Sequence, residues 1–220
     1  AGGINQTGGQ LTAGTLLSSL GVTGNVALGG TANAIGALGD FAVSKGDFSL
    51  ADSVALTAGG TLSATNIALS STVLNVTGVV SATGTASLTA TVGTLDIGAT
   101  GTVSGTTAVV LNGATGITEE GTLSGGTLSG GSASGGATLT GTNLITALGD
   151  FSTKGDLALH NGQALNVTGA VSGADITLVT TAGSLGLSGT LDVGTGTLDL
   201  NAAGGIKQTG NGHREAGHAA

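Results

Sequence analysis

Cysteine, proline, methionine, tryptophan and tyrosine are absent from this chain of 220 residues, phenylalanine occurs three times, and charged residues make up only 7%. Without cysteine there are no disulfides, no structural zinc fingers and no thiol catalysis. Without proline, and with no strict Gly-X-Y period, a collagen triple helix is excluded. So few aromatics leave no stacking platforms for single-stranded nucleic acid and no aromatic girdles for a membrane barrel. Four Lys+Arg stand against twelve Asp+Glu, a net charge of -8. No basic surface is therefore available to neutralise phosphates, and nucleic acid is excluded as a partner. No apolar run approaches the roughly 18 residues of a membrane-spanning helix. The chain opens Ala1-Gly2-Gly3-Ile4 without a charged segment followed by an apolar one, so any secretion signal is expected outside it. The lack of both Cys and Pro suits a chain that is exported unfolded, because disulfide reshuffling and X-Pro isomerisation are slow.

What is present is glycine, 45 residues of it, together with 39% hydrophobic residues. This is far from the polar, highly charged signature of disorder, and a packed core is expected. The chain also repeats itself. Ala37-Leu38-Gly39-Asp40-Phe41 recurs 110 residues on as Ala147-Leu148-Gly149-Asp150-Phe151, and Lys45-Gly46-Asp47 recurs 109 on as Lys154-Gly155-Asp156. Leu74-Asn75-Val76-Thr77-Gly78 recurs as Leu165-Asn166-Val167-Thr168-Gly169 at an offset of 91. An internal duplication follows, with a unit of 18 residues gained or lost in one copy.

A shorter period lies inside these copies. Leu56, Val76, Ile97 and Ile117 form one series spaced by 20, 21 and 20; Leu62, Val80, Val103 and Leu123 form another spaced by 18, 23 and 20. Three members of the second series sit in near-identical phrases, Thr61-Leu62-Ser63-Ala64, Thr102-Val103-Ser104-Gly105 and Thr122-Leu123-Ser124-Gly125. Each period carries about three stretches of alternating apolar and small polar residues, such as Leu74 and Val76, then Val80, then Ala86 and Leu88, punctuated by glycine. Asn112-Gly113 and Asn161-Gly162 are hairpin signals. Hairpins, however, would not hold a steady period or tolerate clean loss of one unit, whereas a parallel solenoid does both. Glycine, threonine and valine, with no 3.6-residue period, disfavour helix.

The expectation is an all-β solenoid of about 11 coils and roughly 50 Å. Each coil has about 20 residues and three short strands. Residues 1–212 form one domain with an internal duplication (about 1–110 and 111–212), and 213–220 form a tail. Inward positions take Leu, Val, Ile and Ala, outward ones Thr and Ser, and glycine the tight corners. Phe41 and Phe151 are expected in equivalent slots, and Phe48 aligns with Leu157.

Gly3-Ile4-Asn5-Gln6-Thr7-Gly8-Gly9, Gly205-Ile206-Lys207-Gln208-Thr209-Gly210, the Ala-Leu-Gly-Asp-Phe blocks and the Leu-Asn-Val-Thr-Gly blocks resemble the repeat region of filamentous haemagglutinin-like proteins. These are large bacterial exoproteins of the two-partner secretion and autotransporter type. The resemblance covers most of the chain, to about Gly212. It implies a right-handed parallel β-helix, secreted and displayed outside the cell or at its surface, that serves adhesion, aggregation and biofilm building. The family's amino-terminal secretion domain, with its asparagine-proline motifs, has no counterpart in this proline-free chain. Its repeat region has no shared catalytic set, so no catalytic, cofactor-binding or metal-ligating residue is nominated.

The residues that bear chemistry point the same way. Asp40, Lys45 and Asp47, and their copies Asp150, Lys154 and Asp156, read as turns whose carboxylates cap backbone amides, in preference to the clustered carboxylates of a glycosidase or lyase. Asp96, Asp175, Asp192 and Asp199 are dispersed and lack the nonapeptide of calcium-binding β-rolls. His213 and His218 fall in a tail of different composition. Asn5, Asn75 and Asn166 head glycosylation sequons, the latter two expected within strands. The stretch from Gly121 to Gly136 lacks the ending of a phosphate loop. Gly-Ile-x-Gln-Thr-Gly stands near both ends of the chain, 202 residues apart, and a solenoid has open edges that must be capped or paired. A non-enzymatic structural and adhesive segment that self-associates head to tail, or that continues covalently into further repeats, is therefore expected, with no membrane span. The alternatives are a module binding host or microbial surface glycans through its Thr and Ser rows, a functional amyloid, and a carbohydrate-active enzyme.

Overall fold

The structure, a computed structural model, describes residues 2–209. Its strands fall into a 16-stranded and a 10-stranded sheet, and every ladder is parallel. The 10-stranded sheet takes one strand from each coil, so the chain is a β-solenoid of about ten turns, at roughly 20 residues per turn. Ten layers at about 4.8 Å make a rod of about 48 Å. A single apolar cluster runs through it from Val26 to Leu185.

A coil is built of three sides. Thr61–Ala64, Ile67–Ser71 and Leu74–Val76 make one, and Val79–Ala82, Thr85–Ala90 and Thr94–Ile97 the next. The first two sides belong to the larger sheet and the third to the smaller. Alternation drives each strand: along Thr85–Ala90 the side chains of Ala86, Leu88 and Ala90 are buried, while Thr85, Ser87 and Thr89 are half-buried on the outer face. Backbone N–H and C=O groups then point along the rod axis and pair with the coils above and below, which satisfies them throughout the thin core.

The series Leu62, Val80, Val103 and Leu123 stacks in register, one residue per coil. The other series needs correction. Leu56 pairs with Leu74, which pairs with Leu95 and then Ile117, while Val76 and Ile97 line up with Ala58 and Glu119. Each of these strands carries two inward positions two residues apart, both aliphatic except where Glu119 takes the second, and the sequence series slipped from one to the other. The Leu56–Leu74 pairing also explains the change of offset from 109 to 91: the 18-residue unit is one coil.

Corners hold most glycines by close approach rather than by special torsions. Among the described residues only eight glycines have positive φ. A β-carbon on Gly78 would meet the carbonyls of Gly59 and Gly60 in the coil before, and one on Gly121 those of Gly98 and Gly101. The hairpin-like Asn112-Gly113 and Asn161-Gly162 lie at the ends of parallel strands, Thr102–Gly113 and Leu157–Asn161.

The sides do not run straight along the rod. In mid-chain the first two sides merge into long strands, Thr102–Gly113, Thr122–Ser132 and Leu144–Thr153, with register shifts near Gly105 and Leu128. Leu144 and Ile145 pair with Ser124 and Gly125 on the first side. The next coil does not extend that ladder. Leu165–Val167 pairs instead with Ala147 and Leu148, and Ala170–Ser172 with Phe151 and Ser152. One side has closed and its neighbour has split in two. The same seam occurs earlier: Thr12–Leu16 pairs with Ala34–Leu38 over Thr12, Ala13, Thr15 and Leu16, yet only Ala37 and Leu38 are carried on, by Thr57 and Ala58. Each duplicated copy holds one seam, and each seam advances the pattern by one side. Phe41 accordingly stacks on Leu62, whereas Phe151 stacks on Gly130 and Val171; the two are equivalent in the repeat but a side apart. All three phenylalanines are core, with the Phe41 and Phe48 rings edge to face at 4.9 Å.

Candidate functional site

The seams carry the buried carboxyls and side-chain amides of the described residues, Asn33, Asp52, Glu119, Asn143 and Asn161. Where a ladder stops, its last strand would expose unpaired backbone inside the rod, and side chains take over. At the first seam the Asp52 carboxylate accepts the Ile35 N–H (3.2 and 3.3 Å) and the Ser53 N–H at 2.9 Å. At the second, Asn161 accepts the Ile145 N–H at 2.8 Å and donates to the Ile145 carbonyl at 2.9 Å, replacing a missing strand residue on both counts.

A second polar pair closes each seam. Asn33 accepts the Leu11 N–H at 2.9 Å and donates to the carbonyl of Leu28. Its amide is paired twice with that of Gln6: Asn33 Nδ2 donates to Gln6 Oε1 at 2.9 Å, and Gln6 Nε2 donates to Asn33 Oδ1 at 2.8 Å. Gln6 Oε1 also accepts the Gly30 N–H. In the second copy Asn143 accepts the Leu123 N–H at 2.8 Å and donates to the Leu139 carbonyl. Its partner is Glu119, whose Oε2 accepts Asn143 Nδ2 at 2.8 Å and the Gly141 N–H at 3.2 Å. Glu119 is 1% exposed, and its Oε1 is buried without a partner.

Both buried carboxyls are shifted. Burial pushes Glu119 above the usual carboxylate range, against the pull of Asn143 and Gly141, and the neighbouring Glu120 adds to the rise. Burial also raises Asp52, against the pull of the backbone N–H groups of Ile35, Ser53 and Val54. In each case loss of hydration outweighs hydrogen bonds that favour the anion.

The charged residues singled out in the sequence lie elsewhere and do not converge. Asp40 caps the Thr61 N–H and its copy Asp150 the Ala170 N–H. Asp47 accepts from both the backbone and the side chain of Asn66, Asp156 from Asp175, and Asp175 from Thr197. These exposed groups cap successive corners. Asp96 takes the Thr118 hydroxyl, and Asp192 caps the Gly194 N–H. Among the described residues no three of His, Cys, Asp and Glu come together as metal ligands would. Asn5, Asn75 and Asn166 all fall within strands. His213 and His218 lie outside the described residues.

Sequence reasoning missed Asn33, Asp52, Glu119, Asn143 and Asn161. One signal was there to find. Gly116-Ile117-Thr118-Glu119 repeats Gly3-Ile4-Asn5-Gln6 and Gly205-Ile206-Lys207-Gln208 with a carboxyl in place of the amide, and Asn33-x-Ile35 matches Asn143-x-Ile145.

On the outer surface, Ser63, Ser81, Ser104 and Ser124 stack in four consecutive coils, with the Ser104 hydroxyl 3.1 Å from that of Ser81. A row on the smaller sheet is mixed, running Thr57, Asn75, Asp96, Thr118 and Thr138. Fold and seams together define a parallel β-solenoid repeat protein. The chain matches no family model, no curated protein and no solved structure.

Proposed function

We propose that the chain is a structural and adhesive segment of a secreted bacterial surface or extracellular fibre, and that its units stack end to end. The observation that carries this reading is the character of the two rod edges. Ile4–Asn5 and Thr12–Leu16 at one edge, and Leu198–Ala202 and Ile206–Gln208 at the other, pair with a neighbour on one side only among the described residues. Both edges expose large apolar side chains: Ile4, Leu17 and Leu20 (97% exposed) at one, Leu198 and Ile206 (49%) at the other. Open strand edges with apolar side chains are templates for pairing with a further strand. A contact between unlike edges is heterologous, so it propagates as a filament. The adhesive role and the secreted location rest on the resemblance to the haemagglutinin-like repeats.

Negative-stain microscopy and size-exclusion chromatography over a range of concentrations test the stacking. Rods in multiples of about 50 Å are expected, shortened to single units in a Leu20→Lys, Ile206→Lys double variant. Monomers at every concentration in the unsubstituted chain would overturn it. A second reading, a module that binds glycan surfaces, is favoured by the serine row. It predicts glycan-array binding that is lost in Ser81→Val, Ser104→Val.

A further inference from the structure

The two seams are near-copies, and the difference between them lies at Glu119. Gln6 uses its oxygen to accept from Gly30 and Asn33 and its nitrogen to donate back to Asn33. Glu119 uses Oε2 to accept from Gly141 and Asn143 in the same pattern. The remaining atom takes the place of the Gln6 nitrogen: a β-carbon on Gly30 would run into Gln6 Nε2, and one on Gly141 would run into Glu119 Oε1. Asn143 cannot turn its amide to supply a donor there. Its oxygen is held by the Leu123 N–H and its nitrogen by the Leu139 carbonyl. By correspondence with the Gln6–Asn33 pair, Oε1 faces the Asn143 oxygen, so that an ionised Oε1 would be a buried acceptor without a donor.

We propose that Glu119 is a neutral carboxylic acid in the folded chain, with its proton on Oε1 and donated to Asn143 Oδ1, and that this bond makes the second seam a pH-sensitive lock. Protonation completes the same amide-like pair that Gln6 makes with Asn33. No cationic side chain lies on the elements packed against Glu119 to offset the anion beyond the two hydrogen bonds at Oε2. Of the elements packed against Glu119, residues 94–97 carry Asp96, engaged with Thr118 on the outer face, and the strand of Glu119 is followed by exposed Glu120. Residues 98–105, 121–132 and 137–145 carry no ionisable side chain.

The sign follows from linkage. The unfolded chain ionises Glu119 near the ordinary value of 4.5, whereas the fold retains the proton. The contribution to stability is therefore full below that pH, declines as pH rises toward the folded pKa, and is level beyond it. Glu119→Gln supplies the missing donor at every pH.

The test compares thermal unfolding of the full chain and of E119Q from pH 4 to pH 8, with infrared spectra of the folded proteins at pH 7. The midpoints are expected to coincide near pH 4 and to separate as pH rises, with E119Q higher by at least about 2–4 °C at pH 7. A protonated-carboxyl band is expected in the unsubstituted chain and absent from E119Q. Asp52 titrates in both proteins and cancels in the comparison. A midpoint difference independent of pH, a less stable E119Q at pH 7, or no protonated-carboxyl band to lose would each overturn the proposal.

Discussion

Each seam closes with one acid and amides elsewhere, but the acid stands at a different place in the two. Asp52 caps Ile35 where Asn161 caps Ile145, and Gln6 pairs with Asn33 where Glu119 pairs with Asn143. In both copies the backbone requirement is the same, a donor or acceptor for a ladder that stops, and any side chain of the right length that meets it will serve. Around these fixed points the aliphatic sides are interchangeable. The block Ala37 to Phe41 turns from the smaller sheet into the larger, while its copy Ala147 to Phe151 lies along one strand of the larger sheet. The same residues thus work in either setting, which shows that the core selects for greasy bulk at inward positions, while the polar stack selects for specific partners.

If sides are interchangeable, equivalent core positions should cost the same to truncate. Leu38→Ala and Leu148→Ala, both fully buried, are each expected to lose about 2–5 kcal/mol in chemical denaturation. A difference between them larger than that spread would break the equivalence. Next in size, Asn143→Ala strands the Leu123 N–H and the Leu139 carbonyl, at about 1–3 kcal/mol for each buried group left alone. Asn33→Ala should cost less, because its seam lies near the rod edge, where coils open locally at lower free energy. Hydrogen exchange at Leu123 and Leu11 reads the two sites separately.

The acid and amide exchange can be tested directly. Asn161→Asp removes the donor to the Ile145 and Gln163 carbonyls and is expected to cost about 1–3 kcal/mol at pH 7. Asp52→Asn is the smallest change, a gain of less than about 1 kcal/mol. Because the Asp52 carboxyl is raised in the fold from an ordinary value of 3.8, its contribution is full below that pH and falls as pH rises. The gain in Asp52→Asn should therefore vanish in acid. A gain that persists there would place its origin outside the carboxyl.

Much of this architecture was legible because a solenoid repeats its errors as well as its rules. The phrase Thr-Leu-Ser-Ala and its variants marked one inward residue unambiguously, so Leu62, Val80, Val103 and Leu123 were aligned correctly. Leu74 and Val76 offered no such phrase, and nothing in two aliphatics two residues apart says which one faces Leu56. The seams were harder. Asn33, Asp52, Asn143 and Asn161 look like the corner-capping Asp40 and Asp47, since a short polar side chain that accepts a backbone N–H serves equally well inside the rod and outside it. Only Glu119, standing where the other two copies of its phrase place glutamine, departed from its surroundings enough to be noticed in the sequence itself.

Because every seam steps the pattern sideways, a longer array of such copies would not display a given surface feature along one flank. Each successive copy would present it a third of the way round, tracing a stripe that winds about the shaft like the thread of a screw. A fibre of that kind has no blind side, and whatever it touches would meet the same motif from any direction of approach.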